Sequence, residues 1–265
     1  MKVLHVITGL RTGGAENQLA LLARHTRADV EVVALTNADE VAEVLRADGV
    51  PVTDLGMRSN KDLAAVWRLA RLLRRARPDV VHVHLYRATL YGRLAAWLAR
   101  VPVVVTTEHS LLDGSIEGRP VTPAVRALYL ATERFNHATV AVSDDVAQRL
   151  LDWGVRADRL HVVPNGVDFA VLQGSDADRA RVRAELGVPP GAEVVGGLGR
   201  LHHSKSWDLL LRALAPDLGA GRRLVVIGDG DQAQPLRALA EELGVAAWVH
   251  RPGARADLGA VLAAV

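Results

Sequence analysis

The sequence predicts an α/β protein built from two doubly wound domains, the second incomplete. Two observations carry that expectation. Short runs of valine, isoleucine, leucine and alanine alternate with longer amphipathic stretches along the whole chain, the pattern of parallel strands joined by crossover helices. After a polar stretch at 174–191, punctuated by Pro189 and Pro190, the alternation starts afresh, as a second domain would. A length of 265 residues is at the upper end for one core and comfortable for two.

Taken in order, Val3 to Ile7 reads as a strand, followed by the loop Thr8 to Gly14 and a helix through His25. Val30 to Leu35 is the next strand, Val41 to Asp48 a helix, and Val52 marks a short strand. Lys61 to Arg77 is helical and is closed by Pro78, which cannot continue a helix. Val80 to Val83, Val103 to Thr106, Thr139 to Val142 and Leu160 to Val163 are strands, and Ala88 to Ala99, Pro123 to Asn136 and Asp144 to Asp152 are the helices among them. The first domain is therefore expected over 1–167 and the second over 168–265. The second has strands at Val194 to Leu198, Leu224 to Ile227 and Ala247 to His250, with helices at Ser206 to Ala215, Gln232 to Leu243 and Arg255 to Ala264. A doubly wound sheet usually has more strands than that, so the chain is expected to be truncated after Val265.

Composition excludes several classes. Without cysteine there is no disulfide framework and no thiolate chemistry, which fits a reducing cytoplasm. The net charge is only +2 and the arginines are dispersed among acids, so nucleic acid is not an expected partner. The start MKVLHVITGL is interrupted by Arg11 and lacks a small-residue cleavage site, which makes it a first strand rather than a signal peptide. No run approaches the roughly 18 apolar residues of a membrane span. Trp67 and several leucines lie among arginines on Lys61 to Arg77; an ordinary crossover helix with a solvated arginine face is preferred there over weak peripheral contact with an anionic membrane.

In chains of this architecture ligands bind beyond the carboxyl ends of the strands, so the loops after strands are searched first. The run VGGLGRLHHSK ends a strand in glycines and presents Arg200 and Lys205 before a helix, a place to hold a diphosphate. Lys205 is one of only three lysines, with Lys2 and Lys61, in a chain that otherwise uses arginine, and an ammonium is a compact point charge where arginine is a planar fork. The first loop, GLRTGG, leads into a helix whose free amides favour an anion, but its spacing is neither the dinucleotide fingerprint nor a P-loop. NAD chemistry and ATP hydrolysis are therefore disfavoured. His109 follows a strand and can hydrogen-bond a sugar hydroxyl; His82 and His84 share one strand face, with no carboxylate or cysteine at ligand spacing nearby, so a structural role is expected of them rather than a metal. His202 and His203 read as solvent-exposed, and Gly228, Asp229 and Gly230 end a strand where a second helix opens.

Together the blocks GLRTGGAENQL, PDVVHVH, VVVTTEHS, AVSDDVAQRL, VVPNGVD, GLGRLHHSKSWDLLLRALA and VVIGDGD, in that order, resemble glycosyltransferase family 4 over essentially the whole chain. The resemblance implies the GT-B architecture of two Rossmann-like domains, and transfer of a sugar from a UDP- or GDP-sugar with retention at the anomeric carbon, without metal or cofactor. It implies that Arg200 and Lys205 grip the donor diphosphate, that Gly13 and Gly14 close over it, and that His109 lies close to the donor sugar. It further places Asn165, Gly166 and Asp168 at the domain crossing, and Gly228, Asp229, Gly230, Pro252 and Gly253 near the nucleoside. The acceptor, a saccharide, a lipid-linked sugar or a natural product, would be selected around Tyr86 to Tyr91 and the loop Leu111 to Pro123. One departure stands out: the paired glutamates that in this family contact donor sugar and ribose have no counterpart, Asp257 being the only acid after Glu242. The alternative expectation is a catalytically inactive chain that binds nucleotide or partners a complete transferase.

Overall fold

The computed structural model describes residues 1–112, 114–116 and 119–265 and divides into two compact units, Met1–Gly166 and Val167–Val265. In the first unit the apolar runs become β1 (Lys2–Ile7), β2 (Asp29–Ala34), β3 (Val52–Asp54), β4 (Val80–His84), β5 (Val103–Glu108), β9 (Ala138–Ala141) and β10 (Leu160–Val162). They form one parallel seven-stranded sheet in the order β10-β9-β5-β4-β1-β2-β3. Between them run α1 (Gly14–His25), α2 (Glu40–Ala47), α3 (Ala64–Ala76), α4 (Tyr86–Ala99), α5 (Pro123–Glu133) and α6 (Asp144–Trp153). Three two-residue strands, β6 (Leu111–Leu112), β7 (Ser115–Ile116) and β8 (Arg119–Pro120), form a small antiparallel sheet that the sequence pattern did not predict.

Alternation along the strands assigns each face of the large sheet. Leu4, Val6, Val81 and Val83 pack with Leu69 and Leu73 of α3 and Ala95 and Ala96 of α4. Ile7 and Val32 pack on the other face with Leu19 of α1 and Leu45 of α2. The apolar stripe of α3 is thus spent on the core, as a crossover helix requires, although Leu63 before it and Trp67 within it stay exposed at 73% and 62%. Arg68 is paired with Asp62 at 2.8 Å, and Arg74 donates to the Leu98 carbonyl.

The chain runs outward from β1 through β2 to β3, then returns and runs the other way from β4 through β5 and β9 to β10. The order therefore reverses between β1 and β4, and the crevice at such a switch point is where this architecture accepts ligands.

The second unit is a parallel three-stranded sheet, β11 (Glu193–Leu198), β12 (Arg222–Ile227) and β13 (Val249–Gly253) in that order. It carries α7 (Asp176–Glu185), α8 (Trp207–Leu214), α9 (Ala233–Glu242) and α10 (Leu258–Ala264). Three expectations need correction. The polar stretch 174–191 contains α7, started by a reciprocal capping box between Ser175 and Asp178. The last strand lies at Val249–Gly253 rather than Ala247 to His250, because Ala246–Trp248 close into a single 3-10 turn. The last helix starts at Leu258 rather than Arg255, since Arg255 pairs with Asp257 at 2.7 Å and with Glu185 at 2.9 Å ahead of it.

Candidate functional site

In the first unit the switch point brings a glycine loop and a row of histidines to the carboxyl end of the sheet. The loop after β1 reaches α1 through Gly13, whose extended backbone provides no side-chain cap. Gly13 has no Cβ to collide with the Glu16 carboxylate, which folds back over it at the positive end of the helix. A Cβ on Gly14 would meet open space. Gly166 is tied to the same helix, its carbonyl accepting from Gln18 Nε2 at 2.8 Å, with Asn165 exposed before it. Asp168, the second residue of the second unit, caps a short 3-10 turn, its carboxylate accepting from the Ala170 amide.

His5 on β1 lies directly opposite His82 on β4 in the sheet register, and His84 is opposite Thr107 of β5. His109 follows the end of β5. Their rings form a continuous array: His5 Nδ1 is 3.0 Å from His84 Nε2, and His84 Nδ1 is 3.2 Å from His109 Nε2. His82 Nε2 is 2.7 Å from Thr107 Oγ1, and its ring lies 4.2 Å from that of His84. His5 and His84 are each only 2% exposed. Burial pushes His5 and His109 down to about 4, and holds His82 and His84 well below the ordinary imidazole value, with their neighbouring histidines adding to the effect. All four are therefore neutral near pH 7. His109 Nδ1 is buried and has no hydrogen-bond partner among the described residues.

Leu85, next after His84, has φ 73° and ψ 153°, a region that is essentially reserved for glycine. Between α4, β5 and α5 the chain buries a polar network that sequence patterning missed. Arg93 of α4, fully buried, donates to Thr106 Oγ1 at 3.0 Å and lies 4.7 Å from the Tyr129 ring centre. Burial, and then the adjacent Glu108, push the Tyr129 phenol well above its ordinary value.

In the second unit the loops after the three strands are joined through their backbones. The Gly199 amide donates to the Ile227 carbonyl at 2.9 Å, Leu201 to Asp229 at 2.9 Å, and Gly228 to Gly253 at 3.0 Å. Gly228 and Gly230 have φ of 141° and 156°, and a Cβ on either would overlap a carbonyl oxygen of the first loop, that of Gly199 or of Leu201. Arg200, Gly228, Asp229, Gly230 and Gly253 are thereby gathered on one rim, while Pro252 sits just before it on an edge strand, where a missing amide is tolerated. Trp207 covers Gly197 of β11 and Gly199 just after it with its ring, and donates from its indole nitrogen to the Arg200 carbonyl at 2.9 Å. His202 turns the loop by accepting from the Ser204 amide. Lys205 ends that turn, exposed, ahead of Ser206, which sits in the left-handed region at φ 50°. The Lys205 ammonium makes no hydrogen bond or ion pair among the described residues.

Other expected residues fall elsewhere. The phenols of Tyr86 and Tyr91 are buried and donate to the carbonyls of Val125 and Asn60, which braces α4. Of the loop Leu111 to Pro123, residues Asp113, Glu117 and Gly118 lie outside the described residues. Asp257 is engaged by Arg255 and, at 3.1 Å, by Arg181. No helix among the described residues is long and apolar enough to cross a membrane.

Comparison with known proteins agrees with this layout. Residues 12–171 match the family model described as Glycosyltransferase Family 4, and residues 178–264 match that of Glycosyl transferases group 1. The chain is 32% identical over 202 residues to the 2-deoxystreptamine glucosyltransferase of Streptomyces kanamyceticus, covering 69% of this chain and 50% of that protein. It is 34% identical over 206 residues to the D-inositol 3-phosphate glycosyltransferase of Acidothermus cellulolyticus, covering 69% and 44%. The chain thus spans about half the length of the curated relatives it matches. Anabaena HepE, solved in complex with UDP-glucose, superposes with a TM-score of 0.86 at 25% identity, covering 100% of this chain and 72% of that one.

Proposed function

The chain belongs to glycosyltransferase family 4, and from that premise we propose that it moves a sugar from a nucleotide diphospho-sugar, UDP- or GDP-linked, to a hydroxyl of a saccharide, lipid or natural-product acceptor. The observation that carries this reading is Lys205: an exposed ammonium on the same loop as Arg200, which the glycines of the neighbouring loops hold to the rim of the sheet. Breaking the bond between sugar and phosphate leaves negative charge on the departing diphosphate. Fixed cations at that place stabilise the transition state more than the ground state. With two cations in this role the reaction is metal-independent.

The acceptor oxygen attacks the anomeric carbon on the face the phosphate leaves, so the new bond keeps the old configuration. The departing phosphate oxygen takes the acceptor proton, and no protein base is needed. Neutral His109 contributes a directional hydrogen bond to a donor-sugar hydroxyl, not a charge. Gly13 and Gly14 let the backbone of the first loop approach the same donor.

Two supports come from relatives. HepE was solved with UDP-glucose, which favours a UDP-sugar donor. The Streptomyces and Acidothermus relatives are named for a deoxystreptamine and an inositol phosphate, both polyhydroxylated six-membered carbocycles, which favours a ring of that kind as acceptor. Calorimetric titration with UDP, GDP and NAD, followed by mass spectrometry of UDP-glucose with inositol phosphate and aminocyclitol acceptors, tests the proposal. Binding of NAD in place of both nucleotides would overturn it.

A second reading, a chain that binds nucleotide without transferring sugar, rests on Asp257. Its carboxylate is held by two arginines and is not free to receive sugar or ribose hydroxyls. UDP binding with neither transfer nor donor hydrolysis would select it.

A further inference from the structure

Resting on the reading that His109 faces the donor sugar, we propose that His5, His84 and His109 form a hydrogen-bonded relay that fixes His109 as its Nε2–H tautomer, so that its buried Nδ1 lone pair accepts a hydrogen bond from a sugar hydroxyl. His84 is then a positioning residue, acting on substrate through His109.

A neutral imidazole has one N–H and one lone pair. When three are linked through Nδ1 and Nε2 in the order seen here, with separations of 3.0 and 3.2 Å, only two arrangements satisfy both links. Either every ring carries its proton on Nδ1, or every ring carries it on Nε2. The first leaves an N–H at His109 Nδ1, buried and without a partner among the described residues; the second leaves a lone pair there. Orphaned buried donors are rarer than under-used acceptors, and Nε2–H is the intrinsically preferred tautomer of neutral histidine. Both arguments select the second arrangement: His109 Nε2–H donates to His84 Nδ1, and His84 Nε2–H donates to His5 Nδ1.

The site is built to hold this order. His5 and His84 are almost wholly enclosed, so water does not compete for their nitrogens. His84 is set on the last position of β4, and the strained Leu85 follows it, a conformation that persists only where the surroundings enforce it. His82 stacks beside His84 while its own Nε2 is occupied by Thr107. Ring nitrogens of His5, His82 and His84 lie within 4.8 Å of one another, a spacing that also suits a metal ion. A metal held by both His5 Nδ1 and His84 Nε2, which are 3.0 Å apart, would need a lone pair on each, whereas the relay needs a proton on one of them, so the two arrangements exclude each other.

The experiment is long-range 1H–15N correlation spectroscopy of the histidine-labelled chain at pH 7.5, with metal content measured on the same sample. The relay requires a single Nε2–H tautomer at His5, His84 and His109, and a changed tautomer population at His5 once His84→Phe cuts it off from His109. If His84→Phe does not fold by circular dichroism, His109→Phe removes the fixed end and should release His84 and His5 together. An Nδ1–H tautomer at His109 in the unaltered chain, an unchanged single tautomer in the variants, or a stoichiometric divalent ion bound to His84 would each overturn the relay. A His109→Phe chain that binds and turns over UDP-glucose like the parent would overturn the functional half, while the spectra still report on the relay itself.

Discussion

The indole nitrogen of Trp207 donates to the carbonyl oxygen of Arg200 at 2.9 Å, so the first residue of α8 fixes the backbone of the loop that presents the cations. Trp207→Phe removes that donor together with the outer indole ring that covers Gly197. A net hydrogen bond is worth about 0.5–1.5 kcal/mol and the lost packing adds to it, so stability should fall by at least that amount, and UDP affinity by roughly three- to tenfold as the loop loosens. Unchanged calorimetric affinity alongside the lower stability would separate Trp207 from the binding loop.

Lys205→Ala removes an exposed ammonium with no partner among the described residues, so the fold should hold and the loss should appear in function alone. A charge-assisted hydrogen bond is worth roughly 1.5–3 kcal/mol, which predicts on the order of a ten- to hundredfold drop in turnover. Lys205→Arg should recover only part of it, since a planar fork replaces a point charge. A thermal midpoint that falls as far as the activity would place Lys205 in the fold instead.

Gly228→Ala forces a Cβ onto the Gly199 carbonyl at a backbone φ that side chains avoid. We expect a loss of about 2–4 kcal/mol in urea titration. Gly244 also has positive φ but faces open space, and Gly244→Ala should cost roughly 1 kcal/mol. Equal losses at the two positions would mean that the close approach of the loops contributes nothing.

The alternating pattern exposed both halves of the fold because parallel strands, covered on both faces, read as uninterrupted apolar runs. Helix α7 escaped it: DADRARVRAE offers one fully buried side chain, Val182, and its only strong signal was the capping box at Ser175 and Asp178. Strands β6 to β8 are two residues each, too short for a period of two to show. The loops that carry Arg200, Lys205 and the glycines of the second unit were legible from local motifs, since each follows or closes its own strand. His5 was not. Its partnership with His84 spans 79 residues and exists only because β1 lies beside β4, a pairing that local spacing does not encode. The buried Arg93 hid for a similar reason, its partners coming from β5 and α5.

The histidine array should make the fold sensitive to mild acid. His5 and His109 are pushed down to about 4 from the usual 6.5, and His82 and His84 move the same way, each chiefly by burial. Between pH 4 and 6.5 the unfolded chain binds protons that the folded chain refuses, so acid favours unfolding. The contribution is whole above pH 6.5 and is lost as pH falls toward the folded value. For a group displaced from 6.5 to 4 this amounts to about 2 kcal/mol at pH 5. His250, also lowered by burial, adds in the same direction. Urea midpoints should therefore fall steeply from pH 7 to 5, above the range in which ordinary carboxylates titrate, and His5→Phe should flatten the slope. A midpoint that stays level over that window would mean that the buried rings accept protons in the folded state, and the neutral array with its single set of tautomers would have to be given up.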